Sequence, residues 1–175
     1  MFLLYTNYMK KVIVGSLLVA VVVAGIAAPL ALAEGTPDEA KLNTIRTKCV
    51  AAQSTLQRVG RNDTTSRINR GRDYDAALKL FYAMNARVAA SGQTVPRLTE
   101  ITKSFETELA SFRDKYNSYS GEIKTAVDTH CADQPAEFYR VLGQTRNARS
   151  GVNTAIIRLD GLIDDYKKVV TELAL

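Results

Sequence analysis

Apolar residues recur every third or fourth position along three long stretches of the chain. One carries Leu98, Ile101, Phe105, Leu109, Phe112, Tyr116, Tyr119, Ile123 and Val127; a later one carries Phe138, Val141, Leu142, Val152, Ile156, Leu159, Leu162, Ile163, Tyr166, Val169, Val170 and Leu173. That spacing lines one face of an α-helix, and each helix would run about 55 to 60 Å at the usual rise per residue. An earlier stretch repeats the pattern with Leu42, Ile45, Cys49, Ala52, Leu56 and Val59. It then meets Gly60-Arg61-Asn62-Asp63-Thr64-Thr65 and resumes at Ala77, Leu78, Phe81, Met84 and Val88. Gly, Asn, Asp and Thr are poor helix formers. Two unbroken partners of such length nevertheless need an equally long cover, so the first helix is expected to be continuous or merely kinked.

The punctuation agrees with three helices. Beyond residue 33 the only prolines are Pro37, Pro96 and Pro135, each just after a capping-type residue: Thr36-Pro37-Asp38-Glu39, Thr94-Val95-Pro96 and Asp133-Gln134-Pro135. Proline suits a first helical turn, Thr or Asp oxygens satisfy the orphan donors there, and Thr36 with Glu39 spells a capping box. A fold-back at Ser91-Gly92-Gln93-Thr94 would set the first two helices antiparallel. Counted from Gly92, Cys49 lies roughly 43 residues back, about 65 Å, and Cys131 roughly 39 residues on, about 58 Å. The two thiols would arrive at nearly the same height, which is what a disulfide needs. The expected fold is all-α: an elongated, coiled-coil-like, antiparallel three-helix bundle over residues 34–175, after an N-terminal signal peptide.

That leader is read from residues 1–33. Lys10 and Lys11 precede an uncharged run from Val12 to Ala33 that ends in Ala31-Leu32-Ala33, a positive n-region, an apolar core and a small-residue cleavage site. Cleavage would fall after Ala33. Met9-Lys10-Lys11 is a conventional start for such a signal, so translation from Met9 rather than Met1 is an open alternative. An uncleaved membrane anchor is the other, since roughly 22 uncharged residues can span a bilayer. Either way the remainder is expected outside the cytoplasm, secreted or periplasmic, where paired cysteines bridge.

Charge changes the picture next. The chain has 23 basic and 18 acidic residues and a net charge of +5; without Lys10 and Lys11 it is about +3, too modest to specify a partner by itself. Placement is more informative. Arg58, Arg61, Arg67, Arg70 and Arg72 on the first helix, with Arg140, Arg146, Arg149 and Arg158 on the third, occupy spans without a lysine. Guanidinium forks onto carboxylate or phosphate where ammonium is a point charge. These nine are the candidate anion-binding residues, for an anionic polymer or membrane surface; the plainer alternative is a solvated face partly paired with Asp73, Asp75 and Glu137.

Little else carries chemistry. His130, the only histidine, sits by Cys131 with Asp128 and Asp133 nearby, but cysteines held in a disulfide would neither ligate a metal nor act as nucleophiles. A histidine at a helix C-terminus, interacting with the dipole, is the better reading. Asn62-Asp63-Thr64 matches a glycosylation sequon too short to weigh. No nucleic-acid recognition motif is present, and no cofactor, metal or small-molecule substrate is expected.

The signal peptide, a cysteine opening a long Arg-rich helix, the Gly turn, Phe112 and Tyr116 four apart, and Cys131-x3-Pro135-x2-Phe138 leading into an Arg-containing helix together resemble small exported helical proteins of candidate-phylum bacteria. Gly60 to Thr65 departs from the smoother pattern of such chains. The resemblance bears on fold and compartment and implies no activity. The expectation is therefore a non-enzymatic module at the cell envelope, structural or protein-binding, through an envelope protein or self-association. Binding of anionic envelope polymers or lipid head groups is the first alternative, and a periplasmic holdase-type chaperone the second.

Overall fold

The computed structural model describes residues 37–173, so the leader and its cleavage site lie outside the described residues. Within them the chain is all-helical: α1 (Glu39–Ala90), α2 (Pro96–Asp128) and α3 (Pro135–Leu173). At 52 residues, α1 is about 78 Å long. It passes through Gly60 to Thr65 without interruption.

The helix starts use other devices than the sequence implies. Asp38, not Thr36, caps α1: its Oδ1 accepts the Lys41 N–H at 2.8 Å, and the helix begins at Glu39. Thr36 lies outside the described residues. At α2, Val95 takes the cap position with no side-chain bond, because the residue before a proline is driven to extended backbone and Thr94 falls one position too early. Before α3 the His130 carbonyl accepts the Asp133 and Gln134 N–H groups at 3.0 and 2.7 Å, and the first helical bond runs from Phe138 N–H to the Gln134 carbonyl. Backbone, rather than Asp133, finishes that end. The turn after α1 is a Schellman motif: Gly92 N–H donates to the Ala89 carbonyl and Gln93 N–H to that of Val88. Gly92 sits at φ 76°, where a Cβ would be strained.

The three helices form a bundle. Residues of α1 that meet α2 and the turn just after it have numbers that rise against each other: Cys49 with Cys131, Gly60 with Ile123, Asp75 with Arg113, Asn85 with Thr102. That is antiparallel pairing, about the fold-back at Gly92. Between α1 and α3 the numbers rise together: Asp63 with Arg149, Tyr74 with Asp160, Asn85 with Tyr166. The two therefore run parallel, separated in sequence by α2.

The core is aromatic at its centre. Phe81 stacks on Tyr166 with centroids 3.8 Å apart and meets Phe105 edge-on at 5.2 Å, while Tyr74 meets Phe112 edge-on at 5.6 Å. Such pairs add roughly 0.5 to 1.5 kcal/mol each beyond the area they bury. A second cluster closes the other end, with Cys49, Cys131 and Phe138 packed against Ile45, Ala52, Leu56 and Leu142. The Cys49–Cys131 disulfide, Cα atoms 5.4 Å apart, runs through that cluster. Beside it Gln53 Nε2 donates to the Val127 and Thr129 carbonyls, both at 2.9 Å. Those carbonyls end α2 and would otherwise lack helical partners, so α1 supplies the cap of its neighbour.

Candidate anion-binding groove

The inner face of α1 can be followed by position: 45, 49, 52, 56, 59, 63, 67, 70, 74, 77, 81, 84 and 88 are all buried or half-buried. The apolar stripe does not stop at Gly60. It keeps its helical spacing and becomes polar, with Asp63, Arg67 and Arg70 in core positions ahead of Tyr74. A Cβ on Gly60 would meet Ile123 Cδ1 at 3.4 Å, so glycine marks a close approach of α1 to α2 one turn before that polar segment.

Asp63 is the centre of the segment. Its Oδ2 accepts the Tyr119 hydroxyl at 2.5 Å and Arg149 Nε at 3.0 Å, and its Oδ1 accepts Arg149 Nη2 at 3.1 Å. One carboxylate thus ties α1 to both other helices. The bonds to Asp63 hold the Arg149 guanidinium above its ordinary pKa. One turn further on, the Arg67 guanidinium lies 4.9 Å from the centroid of the Tyr116 ring and donates to Asn117 Oδ1 at 3.1 Å. Next, Arg70 lies 3.9 Å from Asp160 Oδ2, whose Oδ1 accepts the Tyr74 hydroxyl at 2.9 Å. Arg67, Arg70 and Arg149 together line a hollow of about 160 Å³, with Ser66 and Asn153 on its rim and Phe112, Tyr116, Val152 and Ile156 at its base.

Three of the nine sequence-predicted arginines therefore meet at one place, and the other six do not form a continuous belt with them. At 100° per residue, Arg58, Arg61 and Arg72 fall on the side of α1 away from Asp63, where all three are exposed; Arg72 donates to Asn69 at 2.9 Å. Arg140 is paired with Glu137 and Arg158 lies 3.7 Å from Glu108. Asp75 pairs with Arg113, which is not one of the nine. Arg58, Arg61 and Arg146 make no ion pair among the described residues. The residues that sequence reasoning missed are Asp63 as a hub, Tyr119 as its partner, Tyr74, and the rim residues Ser66 and Asn153. The available signal was the unbroken three-and-four spacing through Asp63.

Cys131 is bonded to Cys49 and its thiolate cannot serve a metal; His130 is exposed, two residues past the end of α2. A disulfide joining these positions is compatible with an oxidising, extracytoplasmic setting.

The tyrosines give the bundle a pH dependence of definite sign. Burial pushes Tyr166 up to about 12. Burial first, and then the neighbouring Asp160 and Asp63, push Tyr74 and Tyr119 further still. The unfolded chain loses these protons near the ordinary value of about 10, while the folded chain keeps them. Stability is therefore full below about pH 10 and falls as pH rises toward 12. Urea midpoints measured across that window, with phenolate absorbance read alongside, are expected to drop as the phenolate signal appears; a flat midpoint would contradict the burial of these hydroxyls.

Compared with protein-family models, curated proteins and solved structures, the chain matches none.

Proposed function

We propose that the chain is a non-enzymatic, exported helical bundle that serves as a structural or protein-interaction module at the cell envelope, an elongated coiled-coil-like rod. The observation that carries this reading is the distribution of ties along α1. The disulfide and Gln53 hold one end, Asp63 the middle, and Tyr74 with Asp160 the next level; Asn85, Thr102 and Tyr166 hold the far end. Polar groups bonded to each other between helices, several of them buried or half-buried, fix one geometry along about 78 Å of α1. A part whose work is to hold a distance or present a rigid face needs that property.

A second reading is retention by anionic envelope polymers or lipid head groups. It is favoured by the groove arginines and by Arg58, Arg61 and Arg146, which lack acidic partners among the described residues. One experiment separates the two. The tagged chain, exported in a bacterial host, is recovered from the envelope fraction with and without cross-linking, at low and high salt, beside a variant carrying Gln at Arg61, Arg67, Arg70 and Arg146. A salt-resistant partner protein or self-partner, kept by the variant, supports the module. Retention lost in salt and in the variant supports the anion reading. Recovery of neither a partner nor an envelope-bound pool overturns both.

A further inference from the structure

We propose that the groove between α1 and α3 is a binding site for a small organic monocarboxylate with a flat or branched apolar body, about the size of benzoate. The inference goes beyond both readings above and rests on neither. Its basis is the set of donors that the fold leaves unspent at one place. Arg70 makes no close ion pair: its nearest acid, Asp160, lies 3.9 Å away with one oxygen already committed to Tyr74, whose hydroxyl the Arg70 guanidinium also borders. Arg67 donates through one amino group to Asn117. Arg149 uses Nε and Nη2 on Asp63, which leaves Nη1. The acceptors of Asp63 are consumed in turn by Arg149 and Tyr119.

Charge and shape then select the ligand. Three guanidiniums facing Asp63 and Asp160 leave one net positive charge, which a monoanion neutralises. A guanidinium meets a carboxylate with two parallel bonds, and Arg67, its guanidinium over the Tyr116 ring, lines the hollow with Arg70 and Arg149. Beneath mainly polar walls, Phe112, Val152 and Ile156 give the base an apolar part, beside Tyr116. A bare phosphate would leave that surface uncovered. The hollow, about 160 Å³ and open to solvent on one side, has room for a single small ring.

The test is a titration of the full, disulfide-bonded chain, isotope-labelled, with sodium benzoate at constant ionic strength, followed by amide NMR. Inorganic phosphate and benzyl alcohol serve as the charge-only and ring-only arms. Saturable shifts at Ser66, Arg70 and Asn153 are expected, with benzoate binding at least about tenfold more tightly than either control. Arg70→Gln is expected to weaken benzoate about five- to tenfold, and Asn153→Asp, an exposed change that sets a negative charge on the rim, to weaken it at least as much. Thermal melts of both variants confirm folding, and Asn153→Asp decides the matter if Arg70→Gln melts early. Shifts that phosphate reproduces at equal concentration, that neither variant alters, or that do not saturate would each overturn the proposal.

Discussion

Replacing Cys49 and Cys131 together with alanine is expected to lower the thermal midpoint by roughly 10 to 20 °C. The bridge spans 82 residues in sequence, and closing a loop of that length removes about 4.5 kcal/mol of unfolded-chain entropy in the loop model. Alanine is chosen over serine because Cys131 is fully buried and Cys49 is 8% exposed, so serine would add the separate cost of a buried hydroxyl. What remains at that end is modest: Phe138 with half-buried Ile45, Ala52, Leu56 and Leu142, and the two Gln53 bonds. The loss should also be local before it is global. Amide exchange in the first turns of α1 is expected to quicken far more than in α2, whose ten buried residues form the densest part of the core. A midpoint that falls by less than about 3 °C, or exchange that rises evenly over all three helices, would show that packing alone holds the end of the bundle.

How much of this was legible in the sequence differs from element to element. α2 was readable almost residue by residue, because its buried face is large and apolar: Leu98, Ile101, Phe105, Leu109, Phe112, Tyr116, Tyr119 and Ile123 are all buried. The fold-back was readable too, since Gly92 has one conformational job and two cysteines at matched heights leave few alternatives. α3 was read with a gap between Leu142 and Val152, which the structure fills with buried Thr145 and half-buried Ala148. Thr145 hides because its hydroxyl bonds to the Val141 carbonyl at 2.9 Å, satisfying in the helix itself a group that hydropathy counts as polar. The helix caps were misread because cap chemistry depends on one or two residues of offset, as with Thr94 beside Val95 and Thr36 beside Asp38.

The groove was the least legible part, for a related reason. The sequence shows Asp63 among helix-weakening neighbours and Arg67 and Arg70 among other arginines, and hydropathy assigns all of them to solvent. The three-and-four spacing turns them inward but does not name their partners: Tyr119 and Arg149 lie 56 and 86 residues from Asp63, and no local pattern announces a contact at such separation. Arginine count likewise overstated a common belt. A helix of this length turns its arginines to every side, and direction along with composition decides which of them meet.

Substituting Asp63 is the sharper test of that picture. Asp63→Ala is expected to destabilise the bundle by about 2 kcal/mol, the difference between two opposing effects. Alanine raises helix propensity by roughly 0.5 kcal/mol, and at an exposed position that would be the whole result. Against it stands the loss of charge-assisted bonds worth roughly 1.5 to 3 kcal/mol, from a carboxylate that is only 20% exposed. Most of that loss is assigned to the Tyr119 hydroxyl, since Tyr119 is 2% exposed and would be left without its acceptor, whereas Arg149, 53% exposed at its side chain, can turn to water. The cycle with Tyr119→Phe therefore separates the contributions. The double variant is expected to cost less than the sum of the singles by about 1 kcal/mol, because the orphaned hydroxyl is gone, while the cycle with Arg149→Gln should show a smaller coupling. Urea unfolding of the four chains in each cycle supplies the numbers. If Asp63→Ala proves neutral or stabilising, the helix propensity of the segment outweighs its contacts, and the groove is lined by side chains that the bundle does not hold in place.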